Sequence, residues 1–194
     1  MTKEEKQYLL EISRRTLEKY FKEKSILVLE EDSLKFPLLK EKRGVFVTLT
    51  QNGQLRGCIG NLIADKPVYQ AIIENSLASA LFDPRFPSLE KEELKDIKIE
   101  ISVLSELKLL PSFKDINELI KYLEKKKPGL VIKKGANEAT FLPQVWEELE
   151  TAEDFLSQLC LKAGLEPDAW KKLDLIMFEY EVEKVKEENQ KENK

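Results

Sequence analysis

The chain has 194 residues, 35% of them charged, with a formal net charge of −4 and no histidine. This length suits one large domain or two small lobes with an ample core, and the nearly balanced charge argues against a general binder of nucleic-acid backbones. The absence of histidine excludes Ser-His-Asp and Cys-His catalysis within the chain, and every histidine-ligated metal site.

The N-terminal element is predicted to be an amphipathic helix. Thr2 and Glu5 form the T-x-x-E pattern of a capping box. Residues 26–42 have no clear period, and Phe36-Pro37 predicts an extended approach to the next element. Ahead of residues 26–42, apolar residues recur at helical spacing up to about Lys24. The apolar stripe of this predicted helix contains Leu9, Leu10, Ile12, Leu17 and Phe21.

The stretch 44–60, GVFVTLTQNGQLRGCIG, predicts a β-hairpin. Asn52-Gly53 supplies the two positive φ angles that a type I′ turn requires, and such a turn fixes the register. Alternation along the strand then places Arg56 and Cys58 on one face of the hairpin. The predicted pairs are Gln51–Gln54, Thr50–Leu55, Leu49–Arg56, Thr48–Gly57, Val47–Cys58 and Phe46–Ile59.

A second helix follows, with Asp65 as its predicted N-cap and Pro67 in its first turn. It ends before the loop 83–87, Asp-Pro-Arg-Phe-Pro, which its prolines make rigid. Residues 88–94 predict a short helical turn. Isoleucine and valine then alternate with polar residues over 97–103, which predicts a half-buried strand and favours an antiparallel sheet.

The second half of the chain continues this mixture. We expect a third helix over 115–125, a hairpin with arms 130–132 and 139–142, a helix from Thr151 to a stop at Gly164, and a last strand over 176–183. Helices mixed with half-buried strands predict an α+β fold, with an antiparallel or mixed sheet and flanking helices. We expect one domain over residues 4–185 and a polar tail over 186–194.

Cys58 is the first candidate for a chemical role, and it has two interpretations. A buried free cysteine usually packs as a small hydrophobic residue. Alternatively, Arg56 on the same predicted face favours the thiolate and makes Cys58 a nucleophile. Since the chain lacks histidine, a base would have to be a carboxylate, a lysine or a residue of a partner. Cys160, between two leucines in a predicted helix, is expected to be inert.

Other segments also have a structural and a functional interpretation. The loop 83–87 is either a structural corner or presents Asp83 and Arg85 to a cleft. Gln144 is the polar member of a mostly apolar segment and is suited to contact a ligand. Gly57 and Gly60 indicate a bulge or a close approach, because glycine weakens a strand. They also match the GXXG string of KH domains, but here the string follows a strand and lacks a basic residue, which disfavours RNA binding.

The remaining features indicate a cytoplasmic protein without a resident cofactor. Two cysteines with no pairing pattern fit a reducing compartment. The N-terminal sequence lacks the pattern of a signal peptide, and no apolar run approaches membrane-spanning length. We expect no bound metal, because neither a zinc-binding cysteine pattern nor an EF-hand or P-loop occurs.

Four long segments together resemble the AMMECR family, whose microbial members are called AmmeMemoRadiSam system protein A. They are LRGCIG at 55–60, LFDPRFPSL at 81–89, KPGLVIKKGANEATFLPQVWEEL at 127–149 and FLSQLCLKAGL at 155–165. The resemblance covers nearly the whole chain. It implies an α+β fold with a larger and a smaller lobe, and it places the glycine-cysteine hairpin near the groove between them. It also implies a genomic association with a Memo-like protein and a radical SAM enzyme.

This resemblance implies a component of a modification system that acts on a small molecule or a protein. An alternative is an adaptor whose motif surface docks another protein without any chemistry, and a third is RNA binding. The family brings no agreed catalytic residue, so the roles of residues remain inferences from this sequence. In the first of these three interpretations, the component of a modification system, Cys58 and Arg56 form the floor of the ligand-binding groove. The groove also contains Gly57, Gly60, Asp83, Arg85 and Gln144.

Overall fold

Within residues 1–188, which a computed structural model describes, the chain forms the predicted α+β fold. The helices are α1 (Lys3–Glu23), α2 (Val68–Leu81), α3 (Ile116–Lys126) and α4 (Ala152–Lys162). The strands are β1 (Val45–Gln51), β2 (Gln54–Asn61), β3 (Ile97–Leu104), β4 (Lys108–Leu109), β5 (Gly129–Lys134), β6 (Asn137–Phe141), β7 (Ile176–Tyr180) and β8 (Val182–Lys186).

The chain divides into two compact units, each with its own core. Of the described residues, unit 1 contains 1–104 and 183–188, and unit 2 is Ser105–Val182. Unit 1 is the larger and holds a four-stranded sheet in the order β2-β1-β3-β8. Unit 2 holds a second four-stranded sheet in the order β4-β7-β5-β6.

Helix α1 begins as its sequence predicts. The Thr2 hydroxyl accepts a hydrogen bond from the Glu5 backbone N–H at 3.1 Å, and the Glu5 carboxylate accepts one from the Thr2 N–H at 2.7 Å. This reciprocal pair satisfies donors that the first helical turn leaves free. Helix α2 differs from its prediction, since its N-cap is Pro67 and no side chain caps it. Asp65 instead accepts a hydrogen bond from the Asn61 amide.

The two helices cover one face of the first sheet. Alternate residues of β1 and β3 are fully buried there, while the residues between them on β1 are half-buried on the opposite face. Helix α1 packs against β3, and α2 packs against β1 and β2. The predicted strand over 97–103 is therefore confirmed, and its pairing with β1 is antiparallel; Ser102, which the alternation predicts on the exposed face, is buried.

The hairpin turns at Asn52-Gly53 as predicted, but its register changes after two pairs. Asn52 and Gly53 have φ angles of 51° and 80°. Gln51–Gln54 and Thr50–Leu55 pair as predicted, whereas a bulge makes Leu49 pair with Gly57 and Thr48 with Cys58. The predicted pairs from Leu49–Arg56 onward are wrong by one residue, because Arg56 is the extra residue of the bulge.

Unit 2 packs its helices around an aromatic centre. The Trp146 and Phe155 rings stack with centroids 4.0 Å apart, and both residues are buried. Helix α4 ends where the sequence predicts, with Gly164 in a left-handed conformation (φ 74°) after the C-cap Ala163.

The last predicted strand, over 176–183, is two strands that belong to different sheets. β7 lies between β4 and β5 in unit 2, and β8 lies beside β3 in unit 1. Regular structure extends into the predicted tail, which begins at residue 186. Lys186 ends β8, and the Glu187 N–H donates to the Ile99 carbonyl at 2.9 Å. Residues 189–194 of that predicted tail lie outside the described residues. In residues 1–188, no helix combines the length and the apolar character that crossing a membrane requires.

Candidate functional site

Two of the sequence motifs meet at Cys58. Because β2 is an edge strand of the first sheet, one side of its backbone has no strand to pair with. The Cys58 N–H donates to Asp83 Oδ2 at 2.8 Å, and the Cys58 carbonyl accepts from Arg85 Nη2 at 3.2 Å. Two side chains of the loop 83–87 thus satisfy both backbone groups of Cys58, as a neighbouring strand would.

The Asp83 carboxylate holds this arrangement together from a buried position. Its side chain is only 2% exposed, while that of Arg85 is 54% exposed. Arg85 Nη2 and Nε lie 2.7 and 3.0 Å from the two carboxylate oxygens, and the Arg85 backbone N–H donates to Oδ1. These hydrogen bonds, the Arg85 guanidinium first, hold the pKa of Asp83 far below its usual range. The same partnership raises the pKa of Arg85.

Arg56, the extra residue of the bulge, fixes the rest of the same loop to the strand. Its Nε and Nη2 lie 2.8 and 3.0 Å from the two carboxylate oxygens of Glu93, a bidentate ion pair. Its Nη1 donates to the Pro87 carbonyl at 2.8 Å. The Arg56 side chain is 12% exposed, and the hydrogen bonds from it lower the pKa of Glu93. The guanidinium in contact with Cys58 is therefore that of Arg85, whereas Arg56 binds Glu93 and the loop.

The Cys58 thiol lies in a polar row across three strands. Its Sγ is 3.1 Å from Thr48 Oγ1, within hydrogen-bonding distance for sulfur. Thr48 is in turn directly opposite Glu100 on β3. Residues opposite each other in an antiparallel pair have side chains on the same face, so thiol, hydroxyl and carboxylate follow one another across the sheet. Cys58 and Glu100 are both half-buried.

Cys160 has the opposite surroundings. It is fully buried in the unit 2 core, and burial raises the pKa of its thiol. The prediction that Cys160 belongs to an apolar core is confirmed by its neighbours in that cluster. The chain thus holds one thiol with polar neighbours and one in an apolar core.

Gly57 and Gly60 are required by close packing around the thiol. A Cβ on Gly57 would lie 2.1 Å from the Ser79 backbone oxygen of α2, and one on Gly60 would lie 2.3 Å from the Phe46 ring. The Ser79 hydroxyl accepts from the Ile59 N–H at 2.9 Å and donates to the Val47 carbonyl at 2.7 Å. The predicted bulge and close approach are both present.

Gln144 is the candidate residue that belongs to unit 2. It lies in the 3-10 helix Pro143–Glu147 after β6. Its Oε1 atom is buried and has no hydrogen-bond partner among the described residues. Such an orphaned acceptor is uncommon in native proteins and is a feature of sites that receive a donor from elsewhere.

Several contributors to the site were not identified from the sequence. Thr48, Ser79 and Glu93 contact the candidate residues from sequence distances of ten or more positions. Alternation on β1 and β3 is the available signal for Thr48 and Glu100, once the register of both strand pairs is known. Among residues 1–188 no cluster of three or more histidine, cysteine, aspartate or glutamate residues is arranged to hold a metal ion.

The chain is similar to archaeal proteins along most of its length. A protein of Methanosarcina mazei is 42% identical over 153 residues, covering 78% of this chain and 76% of that protein. Protein MK0488 of Methanopyrus kandleri is 36% identical over 196 residues, covering 97% of this chain and 91% of that protein. The crystal structure of the uncharacterized protein PH0010 from Pyrococcus horikoshii matches with a TM-score of 0.81 and 34% identity, covering 97% of this chain and 94% of the other.

These relatives agree with the family to which the sequence motifs point. The model of the AMMECR1 family matches residues 10–185, which include both motifs that meet at Cys58 and the segment that contains Gln144. The chain belongs to the AMMECR1 family.

Proposed function

We propose that the protein is the thiol-bearing component of a modification system, in which Cys58 is the nucleophile and a Memo-like protein and a radical SAM enzyme are its partners. The observation that carries the proposal is the environment of Cys58. The thiol is half-buried, contacts a hydroxyl and lies on a backbone segment held by a buried aspartate, unlike the core thiol of Cys160. The partners are taken from the family resemblance, and the proposed cytoplasmic location is taken from the two cysteines without a pairing pattern.

In this proposal, two arginines have different roles. Arg85 is the proposed cation beside the thiol: its guanidinium donates to the Cys58 backbone carbonyl, and more than half of its side chain is exposed. It is suited to attract an anionic substrate or to stabilise negative charge that develops next to the sulfur. Arg56 positions the strand and the loop through Glu93 and Pro87. The surface of unit 1 around Cys58 and Arg85 is the proposed place for the substrate.

We propose the polar row as the route for the thiol proton. The Thr48 hydroxyl is able to accept the proton of Cys58 while it donates its own hydrogen bond to a carboxylate. Glu100 is the carboxylate directly opposite Thr48, and no ion pair engages it within residues 1–188. A carboxylate base reached through a hydroxyl answers the need for a base in a chain without histidine.

Alkylation of the folded protein tests the proposal. We expect iodoacetamide at pH 7 to modify Cys58 at least about tenfold faster than Cys160, since a thiol must be accessible and able to lose its proton to react. Mass mapping of both cysteines over time measures the two rates in one sample. Equal and slow modification of the two thiols in the folded protein would overturn the proposal.

Two variants separate a chemical role from mere accessibility. Thr48→Val keeps the shape of the side chain and removes the hydroxyl, so we expect it to slow alkylation of Cys58 several-fold. Thr50→Val, on the same face of β1 but paired with Leu55, is the matched control and should leave the rate unchanged. Arg85→Gln should slow the anionic reagent iodoacetate more than neutral iodoacetamide, because only the anion is attracted by the guanidinium.

A second candidate function, a protein-interaction adaptor, is favoured by exposed apolar residues near the motif. Phe82, directly before Asp83, is 73% exposed, and Ile63, just after β2, is 70% exposed. Exposed apolar side chains near a motif are typical of protein-binding surfaces. If Cys58 is unreactive and Phe82→Ser abolishes binding of a purified Memo-like partner, the adaptor becomes the better interpretation.

A further inference from the structure

Unit 2 contains a cavity of about 400 Å³ that is remote in sequence from Cys58. This volume lies within the range of small-molecule sites, roughly 300 to 1,000 Å³. The cavity is formed by β4, the C-terminal end of α3, and the segment where β7 ends. Its lining combines charged residues with two prolines, a tyrosine and a valine.

The charged residues that line the cavity include more lysines than glutamates. Lys108, Lys126 and Lys127 line the cavity together with Glu179 and Glu181. Lys126 Nζ lies 2.8 Å from Glu179 Oε1, and the Tyr122 hydroxyl donates to the same oxygen at 2.9 Å. Lys126 and Glu179 therefore neutralise each other, and this pairing raises the pKa of Lys126.

Two lysines remain for a ligand. Within residues 1–188, neither Lys108 nor Lys127 forms an ion pair. Lys127 is held in a left-handed conformation (φ 46°) at the C-cap of α3, where its N–H donates to the Leu123 carbonyl at 2.7 Å. Lys108 lies directly opposite Glu179 on β7. The backbone of each lysine is thus held in regular structure, and the remaining negative charge in the lining is that of the exposed Glu181.

The rest of the cavity lining includes four residues with apolar or aromatic side chains. Pro128 and Tyr180 are buried, and Pro143 and Val182 are partly buried. The Tyr180 hydroxyl donates to the Phe141 carbonyl at 3.0 Å and also contacts the Thr140 hydroxyl, so its polar end is already satisfied. Because Pro128 and Tyr180 are buried, the apolar surface that a flat ligand group is able to cover is that of Pro143 and Val182.

From this combination we infer that unit 2 binds a small organic anion with an apolar ring, whose anionic group contacts Lys108 and Lys127 while the ring covers Pro143 and Val182. The inference is independent of Cys58 and of the proposed nucleophile. Apolar walls with a few placed charges are typical of sites that recognise such ligands.

Titration with 1-anilinonaphthalene-8-sulfonate, an aromatic anion that fluoresces when its surroundings are apolar, tests the site in the full chain. We expect saturable binding that weakens about tenfold in the double variant Lys108→Gln, Lys127→Gln, because two exposed charge contacts are lost. Glu181→Gln should tighten binding several-fold, because it removes the opposing charge. The neutral analogue N-phenyl-1-naphthylamine should bind the wild type and the double variant equally.

Lys133→Gln is the matched control for a lysine on the same sheet. Lys133 pairs with Glu138 on the β5–β6 hairpin, and its loss should leave the dissociation constant unchanged. All these positions are exposed, and thermal unfolding checks that each variant is folded. Equal weakening by Lys133→Gln, or unchanged binding in the double variant or in Glu181→Gln, would overturn the inference and reduce the signal to nonspecific dye binding.

Discussion

Replacing Gly57 with alanine is expected to destabilise unit 1 by about 3 kcal/mol or more. The new methyl group would lie 2.1 Å from the Ser79 carbonyl oxygen, and the obstacle is the backbone of α2 rather than a movable side chain. Helix α2 is also tied to the hairpin through the Ser79 hydroxyl, so the two elements resist separation. Urea unfolding followed by far-UV circular dichroism measures the loss.

Gly53→Ala is the control for this prediction. Gly53 also has a positive φ, 80°, but a methyl group added there would have no atom within 4 Å, so only backbone strain of about 1 kcal/mol is expected. Both tryptophans, Trp146 and Trp170, lie in unit 2, so their fluorescence reports that unit separately. A Gly57→Ala protein as stable as Gly53→Ala would contradict the close packing of β2 on α2.

Replacing Asp83 with asparagine is the second large expected effect, about 3 kcal/mol at pH 7. The substitution removes a buried charge that receives hydrogen bonds from Arg85 and from the Cys58 N–H. Because the pKa of Asp83 is lowered in the folded protein, its ionised form stabilises the fold above the unfolded pKa of about 3.9. This contribution is lost as the pH falls through the folded pKa.

The pH dependence of the unfolding free energy tests the role of the Asp83 charge more sharply than one measurement at pH 7. The difference in unfolding free energy between wild type and Asp83→Asn should be constant from about pH 5 to 8 and should shrink as the pH falls below about 4. Asp174→Asn is the control, because Asp174 is an exposed carboxylate whose pKa is lowered by Lys134, and its loss should change stability little. A difference that stays constant down to about pH 3 would contradict the role of the Asp83 charge.

Local patterns in the sequence predict much of unit 1. The Thr2 capping box, the Asn52-Gly53 turn and the alternation over 97–103 are all signals between residues close in sequence, and all three are confirmed. The predicted register beyond Thr50–Leu55 is wrong because the bulge depends on contacts with distant elements. Arg56 turns toward Glu93, and Gly57 lies against α2, and neither partner is visible from the hairpin itself.

The candidate site, too, is only partly predictable from the sequence. The sequence marks both Cys58 and the loop 83–87, but it gives no sign that Asp83 and Arg85 bind the backbone of Cys58. Such a contact depends on α2 bringing its C-terminal end to the edge of β2. The two strands at the end of the described chain are predicted as one because alternation continues through Glu181, where the chain passes from one sheet to the other.

The division of unit 1 into two sequence segments has a consequence for the newly made chain. During synthesis, strands β1 to β3 leave the ribosome before unit 2, whereas β8, the neighbour of β3, emerges only after the whole of it. Until then β3 has an open edge, and open edges invite pairing with other chains. When β8 closes that edge, Glu183 binds the ammonium of Met1 at 2.6 Å and Glu187 binds Arg14 of α1. Two sequence segments that unit 2 separates thus complete one sheet. Premature termination within unit 2 would therefore leave an aggregation-prone product.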